Sequence, residues 1–600
     1  MNMKKTLAAI AFFFFFWFGL LFLSGSLTSG FHFTDDHQII SFSKTLESAG
    51  AIETALDWVE RDVRSIGRFL PVYYVHRLLQ IKAFGTEFLY WGLYDGLLAW
   101  LSSSLMATFM LIAGFSLLEA LIFPCLLFLG FQAGIWWRFG TAETIAMVIL
   151  GAALAASAAS ARKKSLALDI LFIAAGVLLM LTKETFILFI PALLFLKVWL
   201  TKKERRLGWP GALKAEALPV AVLLFLSGAA VLYIKLFVGT TGIGYAGYEG
   251  ISAGPLLSAL VNYLFASQSW LVALGFALAV STASRDKRPW GDIIAVFVFF
   301  ALSLLPQAAL HAKSGVSERY ILPGIFGIVF AAVYFLRLTR EALSKGTPGL
   351  SLRTLAAWGA ALAFIALGSY MMGHRKLTVT FTLESLTLLS GVDNVPFLAF
   401  VTAWFHALTQ KVFLWAASFA LILSVAASRS AFFSRFLNQR TFLAFVLLWA
   451  ALFNFSVCFD RAFLSAFQGR KTNEWLRSIE ANTAKDDPIL VVADPALNNE
   501  WALSIKRYLS VEAGRENLYA WPVLTRPAYT PFEKTLIDSF GSLYPGRDIT
   551  NAVDPSSFKA VVIFPNAEEA FLAGSTGWFD PSGYTKYVNE YGFTSYYRAR

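Results

Sequence analysis

The stretch Phe31-His32-Phe33-Thr34-Asp35-Asp36-His37 sets two adjacent carboxylates shortly after the first long apolar run of the chain, Leu7 to Leu23. Ionised side chains are costly at a bilayer edge, so a pair of acids held there needs a reason. Chemistry is such a reason: a poised carboxylate takes the proton from an attacking hydroxyl or amine and offsets positive charge that develops in the transition state. The second acid, or His37, would orient an acceptor or raise the pKa of the base. Adjacent acids are common in exposed loops, so the signal lies in where Asp35 and Asp36 stand rather than in the dipeptide.

The 600 residues are 57% hydrophobic, 16% aromatic and 15% charged, which exceeds what a single soluble core would use and reads as a polytopic membrane protein. Cys125 and Cys458 form neither a disulfide framework nor a metal-ligand spacing. Met1 to Lys5 followed by Leu7–Leu23 resembles a signal peptide. Its apolar core is longer than the usual ~7–15 residues, so a retained first span is expected. Either way Asp35 and Asp36 fall outside the cytoplasm.

Taking ~20 residues per span, further spans are expected near Phe88–Leu111, Leu117–Ala133, Thr144–Ala159, Leu166–Leu181, Phe186–Leu200, Leu218–Val238, Leu256–Val280, Ile293–Leu310, Leu322–Leu336, Leu355–Met371, Val412–Ala427 and Phe442–Cys458, making about 13. With the N-terminus cytoplasmic, Arg162-Lys163-Lys164, Lys202-Lys203, Arg205-Arg206, Arg285, Lys287, Arg288, Arg337, Arg340, Lys345, Arg353, Arg429, Arg435 and Arg440 all fall on the inner side, as the positive-inside rule requires. The net charge of +11 is therefore topological and does not point to nucleic acid. The expected location is the inner (cytoplasmic) membrane, multi-pass, with a periplasmic or otherwise extracytoplasmic C-terminal region.

In the first outer loop, residues 24–87, Ile39, Phe42, Leu46 and Ala49 recur at helical spacing. A second series follows in Ile52, Ala55, Leu56, Val59, Val63 and Ile66, with Glu53, Asp57, Glu60, Arg61 and Arg64 on the other face. Gly67 ends that series, and Pro71 opens a third helix through Val72, Val75 and Leu79. These read as amphipathic helices on the membrane surface. Residues 1–460 are expected to form the membrane module and 461–600 a small outer α/β domain, with strands at 488–494 and 558–565 and a helix at 500–509.

An acidic pair in the first outer loop, interfacial helices, about a dozen spans and a small outer C-terminal domain together resemble the GT-C superfamily of membrane glycosyltransferases. That group includes protein O-mannosyltransferases and the aminoarabinose transferase of lipid A. The resemblance covers the whole architecture, although its motifs are short. It implies a GT-C-like fold and an inverting hexosyl- or pentosyltransferase that takes a sugar from a polyprenyl-phosphate donor, with Asp35 or Asp36 as base. Many members carry Asp-Glu at this place, which leaves open which acid does this. The implied partners are the lipid-linked donor, a lipid, glycan or protein acceptor, and the bilayer.

The leaving group of such a reaction is a lipid phosphate, so cations near the outer membrane edge become candidates. Lys183, in a tight turn with Glu184, stands almost at bilayer depth and resembles a Lys-containing turn of the superfamily; the bland alternative is a snorkelling lysine paired with Glu184. Arg319 and Tyr320, in Ser317-Glu318-Arg319-Tyr320-Ile321-Leu322-Pro323, resemble its Arg-Tyr-x-x-Pro segment, and a guanidinium grips phosphate with paired hydrogen bonds. Arg68 would reach the same region. Arg138 and Glu143 share another outer turn with Trp136 and Trp137, which read as an aromatic belt ahead of the alternative, a platform on which a sugar ring or carrier lies. His76 and His311 read as interface residues. No cofactor is expected. A divalent metal held by Asp35, Asp36, His32 and His37 is conceivable from their donor chemistry, but short local spacing does not establish it.

Two other classes remain. A secondary transporter or lipid-linked glycan flippase would need broken or polar helices at midplane and related halves, of which the sequence has little. A scaffold would leave the acid pair and Lys183 without work.

Overall fold

The structure is a computed structural model that describes residues 3–33, 36–65, 67–238, 252–266, 269–283, 290–312, 318–343, 397–399, 401–402, 439–529, 531–540, 557–575 and 578–598. Asp35 and the spans expected near Leu355–Met371 and Val412–Ala427 lie outside the described residues.

Long apolar runs must satisfy their backbone polar groups internally in lipid, and they do so as helices. The described helices of the membrane part are α1 (Met3–Ser24), α2 (His37–Leu46), α3 (Ala51–Ser65), α4 (Pro71–Phe84), α5 (Phe88–Ile112), α6 (Leu117–Phe128), α7 (Ala142–Arg162), α8 (Leu166–Thr182), α9 (Ile190–Glu204), α10 (Trp209–Ala215), α11 (Ala217–Tyr233), α12 (Ala253–Ala266), α13 (Trp270–Ala283), α14 (Trp290–Leu310), α15 (Gly324–Leu343) and α16 (Gln439–Asn482). Among the described residues seven helices are long and apolar enough to cross a bilayer. Three more apolar helices, Leu117–Phe128, Leu166–Thr182 and Ala253–Leu264, are shorter.

One expected span is two helices. The run Leu256–Val280 divides between α12 and α13. Ser269 explains the division: its backbone N–H donates to the Leu264 carbonyl at 3.3 Å, closing α12, and its own carbonyl accepts the Val272 N–H at 2.8 Å, opening α13. A hydropathy window averages over such a polar interruption. Likewise the span expected to end at Cys458 does not stop there, since α16 is a single helix of 44 residues that continues past the membrane-type sequence into the C-terminal domain.

At one end of the bundle, basic side chains bind the last carbonyls of helices and nearby acids, as helix C-termini favour. Arg205 Nη2 donates to Ser160 O at 2.7 Å, Arg337 Nη1 to Ala113 O at 2.9 Å, and Arg340 Nε pairs with Glu119 at 2.9 Å. Lys197, wholly buried, is shared by Asp169 at 2.8 Å and Glu216 at 2.9 Å.

The opposite end carries the surface helices α2, α3 and α4, where the expected helices occur. On α3 the small residues Ala51 and Ala55 face the protein, while Ile52 and Leu56 are exposed at 63% and 59%. An apolar stripe that points away from the protein, beside the charged face of Glu53, Asp57 and Glu60, is the arrangement a membrane surface favours.

Beyond α16, strands β1 (Ile489–Ala493), β2 (Leu518–Pro522), β3 (Ala560–Ile563), β4 (Tyr584–Val588) and β5 (Thr594–Arg598) form one sheet in the order β2-β1-β3-β5-β4. β1 pairs in parallel with β2 and β3, while β5 is antiparallel to β3 and β4. α17 (Pro495–Arg507) follows β1. β1 is buried on both faces, so it reads as an unbroken Ile-Leu-Val-Val-Ala run. Its two faces feed different cores. Ile489, Val491 and Ala493 pack with Trp475, Leu476 and Ile479 of α16 and with Phe31, Phe33 and Ile40 of the first loop. Leu490 and Val492 pack with Phe558 and Phe571.

Candidate functional site

The loop after α1 is pinned from both sides. Ser24 and Ser26 share a hydroxyl hydrogen bond at 2.9 Å, and Ser29 Oγ lies 2.8 Å from His32 Nε2. The other ring nitrogen of His32 meets Ser465 Oγ at 2.9 Å, and Gln468 Nε2 donates to the His32 carbonyl at 3.2 Å. This close approach needs Gly469, since a Cβ there would stand 2.6 Å from the Ser29 carbonyl oxygen. Burial, and then the Arg138 charge, pushes the His32 imidazole down to about 3, so it stays neutral.

Phe33 adopts a positive φ of 57°, rare for a bulky residue. The cost is met by packing. Its ring contacts Trp475, Phe564 and Phe593 edge-on, with centroids 6.1–6.3 Å apart. Asp36, 1% exposed, sits at the start of α2. Its carboxylate accepts from the His32 backbone N–H rather than capping α2. His37 is buried, with Nδ1 2.9 Å from Ser504 Oγ of α17, so it faces the C-terminal domain.

A second group forms where three turns meet. Lys183, in the turn between α8 and the next helix, is 6% exposed and pairs with Glu143, 2% exposed, at the start of α7. Its ammonium lies 4.8 Å from the centroid of the Tyr320 ring. Arg319 Cζ is 5.3 Å from the same ring, and Glu143 stands in the field of Arg319. Tyr263 of α12 donates its hydroxyl to the Tyr320 carbonyl at 2.8 Å, and Gln307 of α14 donates to the Thr185 carbonyl at 2.8 Å. Four helices thus fix two cations and one acid in a low-dielectric setting.

The expected alternative for Lys183, a pair with Glu184, is overturned. Glu184 instead receives Arg68 Nη2 at 3.4 Å and the Phe69 backbone N–H at 3.1 Å, tying the surface loop to the lysine turn. The belt reading of Trp136 and Trp137 is overturned as well. They are 0% and 5% exposed, and Trp136 packs against Trp17 at 5.3 Å and Phe128 at 5.4 Å.

The segment 131–143 carries residues against both groups. Arg138 acts electrostatically on His32, and Phe139 meets the His32 ring edge-on at 5.7 Å, while Glu143 holds Lys183. Gly140, at φ +70°, shapes this segment; a Cβ there would overlap the Arg77 guanidinium, which also lies over Trp91 at 5.0 Å. Arg77 and its neighbour in charge Asp95 are fully buried behind the turn, and sequence reading missed them because nothing local marks them as a pair. Among the described residues no group of three or more His, Cys, Asp or Glu is placed to hold a metal.

No protein-family model and no curated protein matches the chain. Among solved structures, the crystal structure of ArnT from Cupriavidus metallidurans bound to undecaprenyl phosphate is similar to it over 98% of this chain and 97% of that one, with 14% identity and a TM-score of 0.44. A likeness that loose does not specify an activity.

Proposed function

We propose that the protein is a GT-C-type membrane glycosyltransferase that moves a sugar from a polyprenyl-phosphate donor to an acceptor on the extracytoplasmic side, with inversion. The observation that carries this reading is the Lys183–Glu143–Arg319–Tyr320 group, two cations with one acid held at the mouth of a helical bundle. Its net positive charge suits a phosphate released in the transition state. Asp36, or Asp35 beside it, serves as the base, next to a segment that reaches the cations through Glu143. Arg68 and Glu184 hold the turn that presents Lys183, and Arg138 and Tyr320 line the donor. His37 ties the base-bearing helix to the C-terminal domain, which closes over it and faces the acceptor. The enzyme acts from the inner membrane, with its N-terminus cytoplasmic.

The test is a transfer assay in detergent or liposomes with a panel of polyprenyl-phosphate sugars. Wild type is compared with Asp35→Asn, Asp36→Asn and Lys183→Met. Transfer or donor hydrolysis lost in an acid variant that unfolds like wild type supports the enzyme. Ion-gradient-driven uptake into vesicles that survives all three changes, without transfer, would establish the transporter reading instead.

A further inference from the structure

His311 immediately follows α14 and is 2% exposed. Its ring stacks on Tyr320, with centroids 5.2 Å apart and planes at 29°. That is the ring against which Lys183 and Arg319 lie. Both ring nitrogens are buried, and neither has a hydrogen-bond partner among the described residues. A neutral imidazole always presents one donor and one acceptor, so leaving both unmade in a protein interior is costly, and native structures seldom tolerate it without a use. The imidazole is neutral here: burial, reinforced by the Lys183 charge and opposed by Glu143, lowers it to about 4.

We infer that His311 is a further ligand-binding residue of this cluster, donating its ring N–H to a phosphate monoester oxygen held by Lys183 and Arg319. The inference rests on the glycosyltransferase reading and extends it by one contact. The Lys183 ammonium and the Arg319 guanidinium supply charge; the imidazole supplies a directed donor without adding a third cation, and its second nitrogen is left to accept a hydroxyl. Tyr320 acts as the common platform that fixes the three groups relative to one another.

A ring that is kept for a ligand predicts opposite effects on stability and binding. His311→Phe preserves the stack on Tyr320 and removes two unmade hydrogen bonds, so the ligand-free protein unfolds at the same temperature as wild type or higher. The same change weakens binding of farnesyl phosphate on the order of 10-fold or more, since a hydrogen bond to a charged group is lost. His311→Gln, which retains an N–H donor, stays within about 3-fold of wild type.

The experiment is calorimetric titration and thermal unfolding of the full chain in detergent, with farnesyl phosphate, farnesol and inorganic phosphate as probes. Binding of farnesyl phosphate with no response to inorganic phosphate identifies a lipid headgroup; a His311-dependent response to inorganic phosphate alone identifies free phosphate. Equal farnesyl phosphate affinity in wild type and His311→Phe overturns the assignment, and leaves the imidazole with buried water. If wild type binds none of the probes, the glycosyltransferase reading itself fails. If Lys183→Met loses binding while both His311 variants keep it, only His311 is excluded.

Discussion

Replacing Lys183 by Met isolates the energetics of the cation group. The lysine and Glu143 side chains are 8% and 3% exposed, so the substitution leaves a carboxylate buried without its partner. Breaking a buried pair from one side costs about 3–5 kcal/mol, and because Arg319 still acts on Glu143 the lower end, ~3 kcal/mol, applies here. Adding Glu143→Gln removes the stranded charge. The double variant should recover to within ~1 kcal/mol of wild type; since Glu143→Gln alone strands the buried ammonium at a similar ~3 kcal/mol, the coupling is about 5 kcal/mol. The assay is reversible unfolding of the four proteins of the cycle in one detergent, with and without farnesyl phosphate. Stability and binding then separate: the double variant regains the first and not the second. A coupling below ~0.5 kcal/mol would show that Lys183 and Glu143 do not depend on each other, and the site as described would be wrong.

Other expectations concern the loop that carries the acids. Phe33→Ala empties a position ringed by Trp475, Phe564 and Phe593 and should cost ~3–5 kcal/mol. Limited proteolysis would report it as faster cleavage between α1 and α2, with transfer lost. His32 is held neutral down to about pH 3, whereas the unfolded chain takes up the proton near 6.5. The unfolded state therefore binds more protons in that window, and stability falls by up to ~1.4 kcal/mol per pH unit as pH drops from 6.5 toward 3. His32→Gln should flatten that part of the curve relative to wild type in paired unfolding measurements. Gly140→Ala combines a strained φ with a clash on Arg77, so loss of transfer together with a lowered unfolding temperature is expected, whereas Gly574→Ala, with open space at its Cβ, should leave both unchanged.

Much of the architecture was readable without coordinates. Apolar runs and helical periodicity are local properties, so α1, the three surface helices and the two buried strands β1 and β3 were expected close to where they occur. Where local signals mislead, a specific residue is responsible. Ser269 breaks a run whose average hydropathy is still high, and α16 continues because its later residues turn their apolar side to the C-terminal sheet instead of to lipid. β2, β4 and β5 went unseen, since β4 is largely exposed at the sheet edge and lacks a continuous apolar run.

Sequence alone determined that the chain is built of membrane helices with surface helices after the first, and it singled out Asp35 and Asp36 by their place after the first span and Lys183, Glu143 and Arg319 by theirs in turns at the membrane edge. It could not determine who meets whom. Glu184 adjoins Lys183 in sequence, yet Lys183 takes Glu143, 40 residues away. Adjacent residues in a turn point in different directions, whereas the start of α7 and the end of α8 close at the same depth. The burial of Phe33 and Ile40, on either side of Asp36, was decided in the same way, by the core of a sheet formed more than four hundred residues later. Local pattern sets each element, and only the packing of distant elements sets the electrostatics of the site.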